Sequence, residues 1–293
     1  MSVATPPPPP AAPPPAGPPG GAPVPRRRAE APSGPVGERI HNSGLILKFS
    51  GLVVGDLVNG RVFMFAGEIL RQAGILIVSS TLVTWGLVLF VGLQCGIEGA
   101  YLLQAQGAPQ YAGLFSAWCD LRELAPLTFG YMMAAKVGTG IVAELGAMRI
   151  SDEIDALEVM GIRGITFLCT TRLLAAWLVF PFVYIGAVAW GFLASYIAVV
   201  EEVANVSSGG YTSIFWEFQN PGDLLFSLIK AMVMTTVIVL VGCYYGYTAS
   251  GGPVGVGRAT AKSMVVNIVG VHVIGMLGTQ LFWGANPRAP IGG

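Results

Sequence analysis

Residues 72–97, QAGILIVSSTLVTWGLVLFVGLQCGI, hold no charge between Arg71 and Glu98. A helix needs about 20 mostly apolar residues to cross a bilayer, and this run exceeds that. Three further windows are also free of charge, at 173–200, 231–257 and 263–287. Together they predict spans near 72–94, 168–199, 224–247 and 263–284. A fifth is expected at 124–147, LAPLTFGYMMAAKVGTGIVAELGA, although Lys136 interrupts it and Glu144 lies near its end. Its other residues are small or apolar, and Gly, Ala and Thr at such spacing suit close helix packing. With 53% hydrophobic and 11% charged residues, the composition is too apolar for an ordinary soluble domain. The expectation is an all-α membrane protein with five transmembrane helices.

Positive residues set the orientation of such a bundle. Arg26, Arg27, Arg28, Arg39, Lys48, Arg61 and Arg71 precede the first span, Arg149 and Arg163 lie between the second and third, and Arg258 and Lys262 precede the last. Five crossings place all of them on one side, leaving Arg122 and Arg288 on the other. The N-terminus is therefore expected in the cytoplasm and the C-terminus outside, with the protein in the cytoplasmic (inner) membrane. Residues 37–60 place Leu45, Phe49, Leu52 and Val53 on one helical face, as in a helix lying in the cytoplasmic interface. Residues 1–36 hold 14 of the 21 prolines and read as a disordered Pro/Ala/Gly-rich cytoplasmic tail. The remainder, 37–293, reads as one membrane domain. Its outer loops, 95–122 and 200–223, are too short for a catalytic domain. The net charge of zero points to no class of partner, and no nucleic acid is expected.

Between the second and third spans lies ELGAMRISDEIDALEVMGI (144–162), dense in charge for so apolar a chain. Ser151 is a plausible N-cap, with Asp152 and Glu153 in the first turn, where the helix dipole favours negative charge. Ile150, Ile154, Leu157 and Gly161 recur at roughly helical spacing, Glu153, Asp155 and Glu158 point elsewhere, and Gly161 can end the helix. Such an amphipathic acidic helix suits docking in a basic-rimmed groove of a soluble partner; it equally suits a solvated connector.

The four lysines are preceded by Leu47, Ala135, Ile229 and Ala261. No GK pair exists, so no phosphate-binding P-loop does either. His41 and His272 stand apart, and His272 reads as a packed, hydrogen-bonded residue rather than a metal ligand. Four scattered cysteines indicate neither a metal site nor a disulfide framework, although Cys95 and Cys119 lie near one membrane face. No catalytic, cofactor-binding or metal-ligating residue is expected. Within the membrane, ionisable groups face a bundle interior or a wet cavity. Glu123, Lys136 and Lys230 would either line a pathway for an amphiphile with a polar head or pair internally, whereas Glu144 and Arg172 read as structural.

The run RELAPLTFGYMMAAKVGTGIVAELGAMRISDEIDALEVMGI (122–162) closely resembles the signature of MlaE/YrbE-type permeases, the membrane subunits of ABC lipid transporters. A second block, DLLFSLIKAMVMTTVIVLVGCYYGYTASGGPVGVGRAT (223–260), is similar to a later segment of that family. Its CYYGY…GGPVGVG wording resembles the B-type subunit of the actinobacterial branch associated with Mce proteins. The likeness covers residue 60 to the C-terminus and leaves the Pro-rich tail outside. It implies five spans after an interfacial helix, and a coupling helix that contacts an ABC ATPase subunit, the subunit that would carry ATP and Mg. Ile154 and Leu157 would then seat that helix in the ATPase groove, and Asp152, Glu153, Asp155 and Glu158, after Ser151, would fix its register. The resemblance also implies a second permease, as heterodimer or homodimer, Mce-domain partners, and a lipid substrate: phospholipid, fatty acid, mycolic-type lipid or sterol. Two other functions fit the residues, an ion-gradient-driven secondary transporter titrating Glu123 and Lys136, and a non-transporting membrane scaffold. Direction of transport does not follow from the sequence.

Overall fold

The structure is a computed structural model that describes the backbone of residues 35–203 and 206–285, and side chains from Ser43 onward. The expected tail at 1–36, the side chains of Arg39 and His41, Arg288 and the C-terminal residues therefore lie outside, or almost outside, the described residues. The chain divides into two units, Met1–Asn42 and Ser43–Gly293, and the second is the fold described below.

Every regular element among the described residues is helical. Helix α1 (Pro35–Val58) leads through a 3₁₀ turn at Arg61–Phe65 into α2 (Ala66–Ala105). A helical path then runs from Ala112 to Ile150, made of α3 (Ala112–Phe115), α4 (Ala125–Met132) and α5 (Thr139–Ile150). Wider π turns join these pieces at Ser116–Leu124 and Met133–Gly138. The short α6 (Glu153–Val159) follows, then π turns at Ile165–Thr170, α7 (Thr171–Ile197), α8 (Ser208–Glu217), α9 (Pro221–Tyr247) and α10 (Gly252–Trp283).

Four stretches are long and apolar enough to cross a membrane, Arg61–Ala105, Ile165–Glu202, Pro221–Tyr247 and Gly252–Trp283; the first two contain a charge-free window whole, and the last two overlap the windows at 231–257 and 263–287. The fifth expected segment, 124–147, is helical throughout but divided by the π turns around Lys136. It also contains the ion-pairing Glu144 and directly follows the ion-pairing Glu123, so its signal is weaker than the others.

Backbone proximity organises the bundle. Helix α2 packs most extensively on α7, and α5, α9 and α10 all pack on one another. On α2, a Cβ at Gly92 would collide with the Gly191 backbone, and one at Gly96 would lie 2.9 Å from the Ser195 carbonyl oxygen. On α9, Gly242 and Gly246 approach the Gly138 and Ile141 carbonyl oxygens at 3.1 and 3.2 Å in the same sense. Both pairs are small residues four apart, which let helix backbones meet where lipid supplies no hydrophobic drive for association. The side chains of Phe129, Phe180, Tyr184, Leu145 and Met234 fill the interior.

The connections after α2 and after α7 are largely helical among the described residues. Helix α2 continues to Ala105, and α8 packs Tyr211 and Phe215 with Ala100, Ala112, Ala117 and Val199 into a second apolar cluster. Apolar side chains in these connections bury one another instead of facing water.

Candidate functional site

The acidic helix is the best-defined surface feature at one end of the bundle. Ser151 does not cap it. Its hydroxyl donates to the Ala147 carbonyl at 3.0 Å and to the Glu153 carboxylate at 2.9 Å, so it closes α5. Asp152 takes the N-cap position with φ of 58°, a left-handed turn that redirects the chain between α5 and α6. The other end follows expectation. Gly161, with φ of 80°, donates to the Glu158 carbonyl, and Ile162 donates to the Leu157 carbonyl, the pair of bonds that finishes a helix on glycine.

Ile154 and Leu157 correct a second expectation. Ile154 is fully buried in the protein's own core and Leu157 packs partly against it. The Ile154 side chain is spent inside the chain, where it packs beside Gly164 at the start of the α7 segment, and Leu157 is only partly covered. The exposed apolar residues are Val159 at 88% and Met160 at 67%, which periodicity missed because they sit at the helix end. Asp152, Glu153, Asp155 and Glu158 are all exposed.

The helix is held at several points. Arg149 pairs with Asp155 at 2.5 Å, and Tyr247 at the end of α9 donates its hydroxyl to Glu158 at 2.8 Å. Beside it, Asp56 of α1 accepts from Thr166 at 2.6 Å and pairs with Arg61 at 3.2 Å and Arg163 at 3.9 Å. Phe49 of α1 packs on the rings of Tyr244 and Tyr247, each at 5.8 Å. Thus α6 is joined to α5 and α9 and lies against the start of the α7 segment at Gly164, and α1 is joined to that same segment and to α9.

The other end holds the buried charges. Lys230 of α9 has no exposed side-chain area and reaches Glu123 at 3.0 Å, the Arg122 carbonyl at 2.9 Å and Thr279 of α10 at 2.7 Å. Thr279 in turn donates to Glu123. Internal pairing is therefore realised for two of the three expected pathway residues. A cavity of about 400 Å³ opens on this cluster, lined by Glu123, Thr279, Arg122 and the apolar Leu114, Phe115 and Trp118 among others. The sequence gave no sign that Arg122 is buried. It binds Asp223 at 2.6 Å, lies over the Trp118 ring at 4.3 Å, and shares Asp223 with the Trp283 indole N–H at 2.9 Å.

Lys136, the third pathway residue, lies apart, exposed within the Met133–Gly138 π turns. It borders a cavity of about 150 Å³ walled by α2, α5 and α7. Arg172 on that wall is neutralised by Glu144 at 2.7 Å, in keeping with a structural role for both. His272 accepts from the Tyr131 hydroxyl at 2.7 Å through Nε2 and donates from Nδ1 to the Ile268 carbonyl at 2.9 Å. His272 is thus hydrogen-bonded as expected, but it is exposed on α10 rather than packed inside. The four cysteines are free. Among the described residues no group of three His, Cys, Asp or Glu side chains could hold a metal.

A family model described as permease MlaE matches residues 69–281. A probable ABC transporter permease protein of Rickettsia bellii is 36% identical over 55% of this chain and 62% of its own length. The chloroplastic protein trigalactosyldiacylglycerol 1 of Arabidopsis thaliana is 27% identical over 73% of this chain and 58% of its own. The intermembrane phospholipid transport system permease protein MlaE of Haemophilus influenzae is 25% identical, over 74% and 83% respectively. The chain thus spans about three fifths of the length of the first two relatives.

Proposed function

The chain belongs to the MlaE permease family, and on that premise we propose that it is the membrane subunit of an ABC transporter that moves lipids or other hydrophobic molecules. The observation that carries the reading is α6: a rigid acidic helix, tied to α5, α9 and the start of α7, presenting carboxylates and two bare apolar side chains at one end of the bundle. It acts as the coupling helix. Asp152, Glu153, Asp155 and Glu158 meet a basic rim on a separate ATPase, and Val159 and Met160 supply the apolar contact there. ATP and Mg bind to that ATPase, since this chain has no P-loop. When two ATPase subunits close, the push on α6 passes into α5 through the Asp152 turn and into α9 through Tyr247.

In this reading the segment 124–147 is the fifth span, α1 is an interfacial helix, and α6 is cytoplasmic. The bare Leu47 and Val58 of α1, opposite its buried Phe49 and Val53, and the bare Leu52 beside that buried pair support an interfacial position. Residues 1–36 form the cytoplasmic tail, and 37–293 the permease domain with its C-terminus outside. Two permeases form the core, as an actinobacterial YrbE-type heterodimer or as a homodimer, with Mce-domain proteins on the outer side. The outer cavity beside Glu123 and Lys230 and the inner one beside Lys136 form the lipid pathway. The name of the Haemophilus relative supports phospholipid as the first substrate to test.

Purification of the membrane complex tests the proposal. An ATPase should co-purify, and proteoliposomes should transfer lipid only with ATP. Transfer that survives ATP removal and collapses with the proton gradient would instead establish a secondary transporter.

A further inference from the structure

Lys136 is a cation without an anion. It lies in a helical path between apolar spans, and no carboxylate or acceptor engages it among the described residues. An ammonium held at bilayer depth costs about 2.5–3.5 kcal/mol even on the mildest scale, so such groups are ordinarily paired or wet. The other membrane cations here obey that rule: Lys230 meets Glu123, Arg122 meets Asp223 and Arg172 meets Glu144.

The surroundings of Lys136 have the chemistry of a head-group pocket. Of the charged residues lining its cavity, Arg172 and Glu144 cancel, which leaves the ammonium as the one uncompensated charge. Ser79 adds a hydroxyl to the wall. At about 150 Å³ the cavity has room for several waters or for one phosphate or carboxylate group. Apart from Gln72, whose amide donates to Glu68 at 2.8 Å, the rest of the lining is without polar side chains, with Ile75 and Leu76 on one side and Ile141 and Val239 on the other, a surface for an acyl chain rather than a soluble ion.

We propose that the cavity at Lys136 binds the anionic head group of an amphiphile, phosphate or carboxylate, with its chain against Ile75, Leu76, Ile141 and Val239. This deepens the pathway reading above and rests on it: head-group charge is selected at Lys136, while the Glu123–Lys230 pair, already neutral, is indifferent to it.

The test uses the full complex with its partner subunits in phosphatidylcholine nanodiscs, probed with radiolabelled phosphatidylglycerol and a diacylglycerol of the same chains. Wild type should retain phosphatidylglycerol roughly tenfold better, the selectivity of one charge pair worth about 1.4 kcal/mol. Lys136→Gln should lose that preference and Lys136→Arg should keep it. Excess inorganic phosphate should not displace the lipid. A preference unchanged in K136Q, displacement by phosphate alone, or cross-linking of Lys136 to an acidic residue of a second copy would each overturn the proposal. Binding needs no turnover, so the two readings fail separately. A Lys136-dependent preference without ATP-driven transfer keeps the site and sinks the transport reading. ATP-driven transfer with unaltered selectivity in K136Q does the reverse.

Discussion

Arg122 shows how a single residue can differ from its sequence appearance. By position it belongs to an outer loop, where a solvated charge would count only toward topology. In the fold its guanidinium is buried between Asp223 and two indole rings, joining the π turn after α3 to the first turn of α9 and the last of α10. Removing one partner of a buried pair strands the other charge, at a cost of about 3–5 kcal/mol. Asp223→Ala should therefore lower the thermal midpoint of the purified protein sharply, and joint replacement of Arg122 and Asp223 by leucine should recover part of the loss. Ile154 makes the same point for an apolar residue. If its methyls pack in the protein's own core, Ile154→Ala costs about 2–5 kcal/mol of stability, measurable by unfolding in micelles without any partner. A full loss of ATPase binding with unchanged stability would return Ile154 to the docking face.

At the scale of the element, α6 and the glycine contacts carry the argument. The acids of α6 sit where a partner can reach them, and three of them have internal partners: Asp155 has Arg149 of α5, Glu158 has Tyr247 of α9, and Glu153 has only the neighbouring Ser151 hydroxyl. Asp152 and Glu153, which tie α6 to no distant element by their side chains, are the cleaner probes. Reversing both to lysine should leave folding intact and abolish ATP-dependent transfer, with ATPase co-purification as the check; Val159→Asp and Met160→Asp should act in the same direction. The α2–α7 contact gives an opposite prediction, stability without docking. Gly92→Val forces a side chain into the Gly191 backbone, so the helices must separate and the protein should be lost from the membrane fraction. Gly74→Ala, with open space around it, should be tolerated.

For the whole molecule, the chemistry divides by end. One end carries the acidic helix, Asp56, Arg163 and Tyr247; the other carries the neutral Glu123–Lys230–Thr279 cluster and Arg122–Asp223. On the proposed coupling, a push received at the first end would reach the second through α5 and α9, whose backbones meet closely at Gly242 and Gly246. Lipid transfer and ATP hydrolysis should consequently fail together in the α6 reversals. Loss of the Lys230 contact, as in Lys230→Met, should impair transfer while ATPase binding persists. Comparing ATPase rate with transfer rate in the same proteoliposomes separates the two.

Four charge-free windows determined four helices long and apolar enough to cross a membrane, because bilayer thickness sets a length that composition alone reveals. The acidic run determined that a charged helix lies between two apolar segments, and Gly161 fixed where it ends. What only the tertiary structure decided was which side of that helix is already taken, that Ser151 closes the preceding helix, and which membrane charges are paired. Glu123 and Lys230 are more than a hundred positions apart, as are Arg122 and Asp223, and local periodicity has no access to such distances. Pairing depends on which helices become neighbours, and that is set by packing of small residues and burial across the whole bundle.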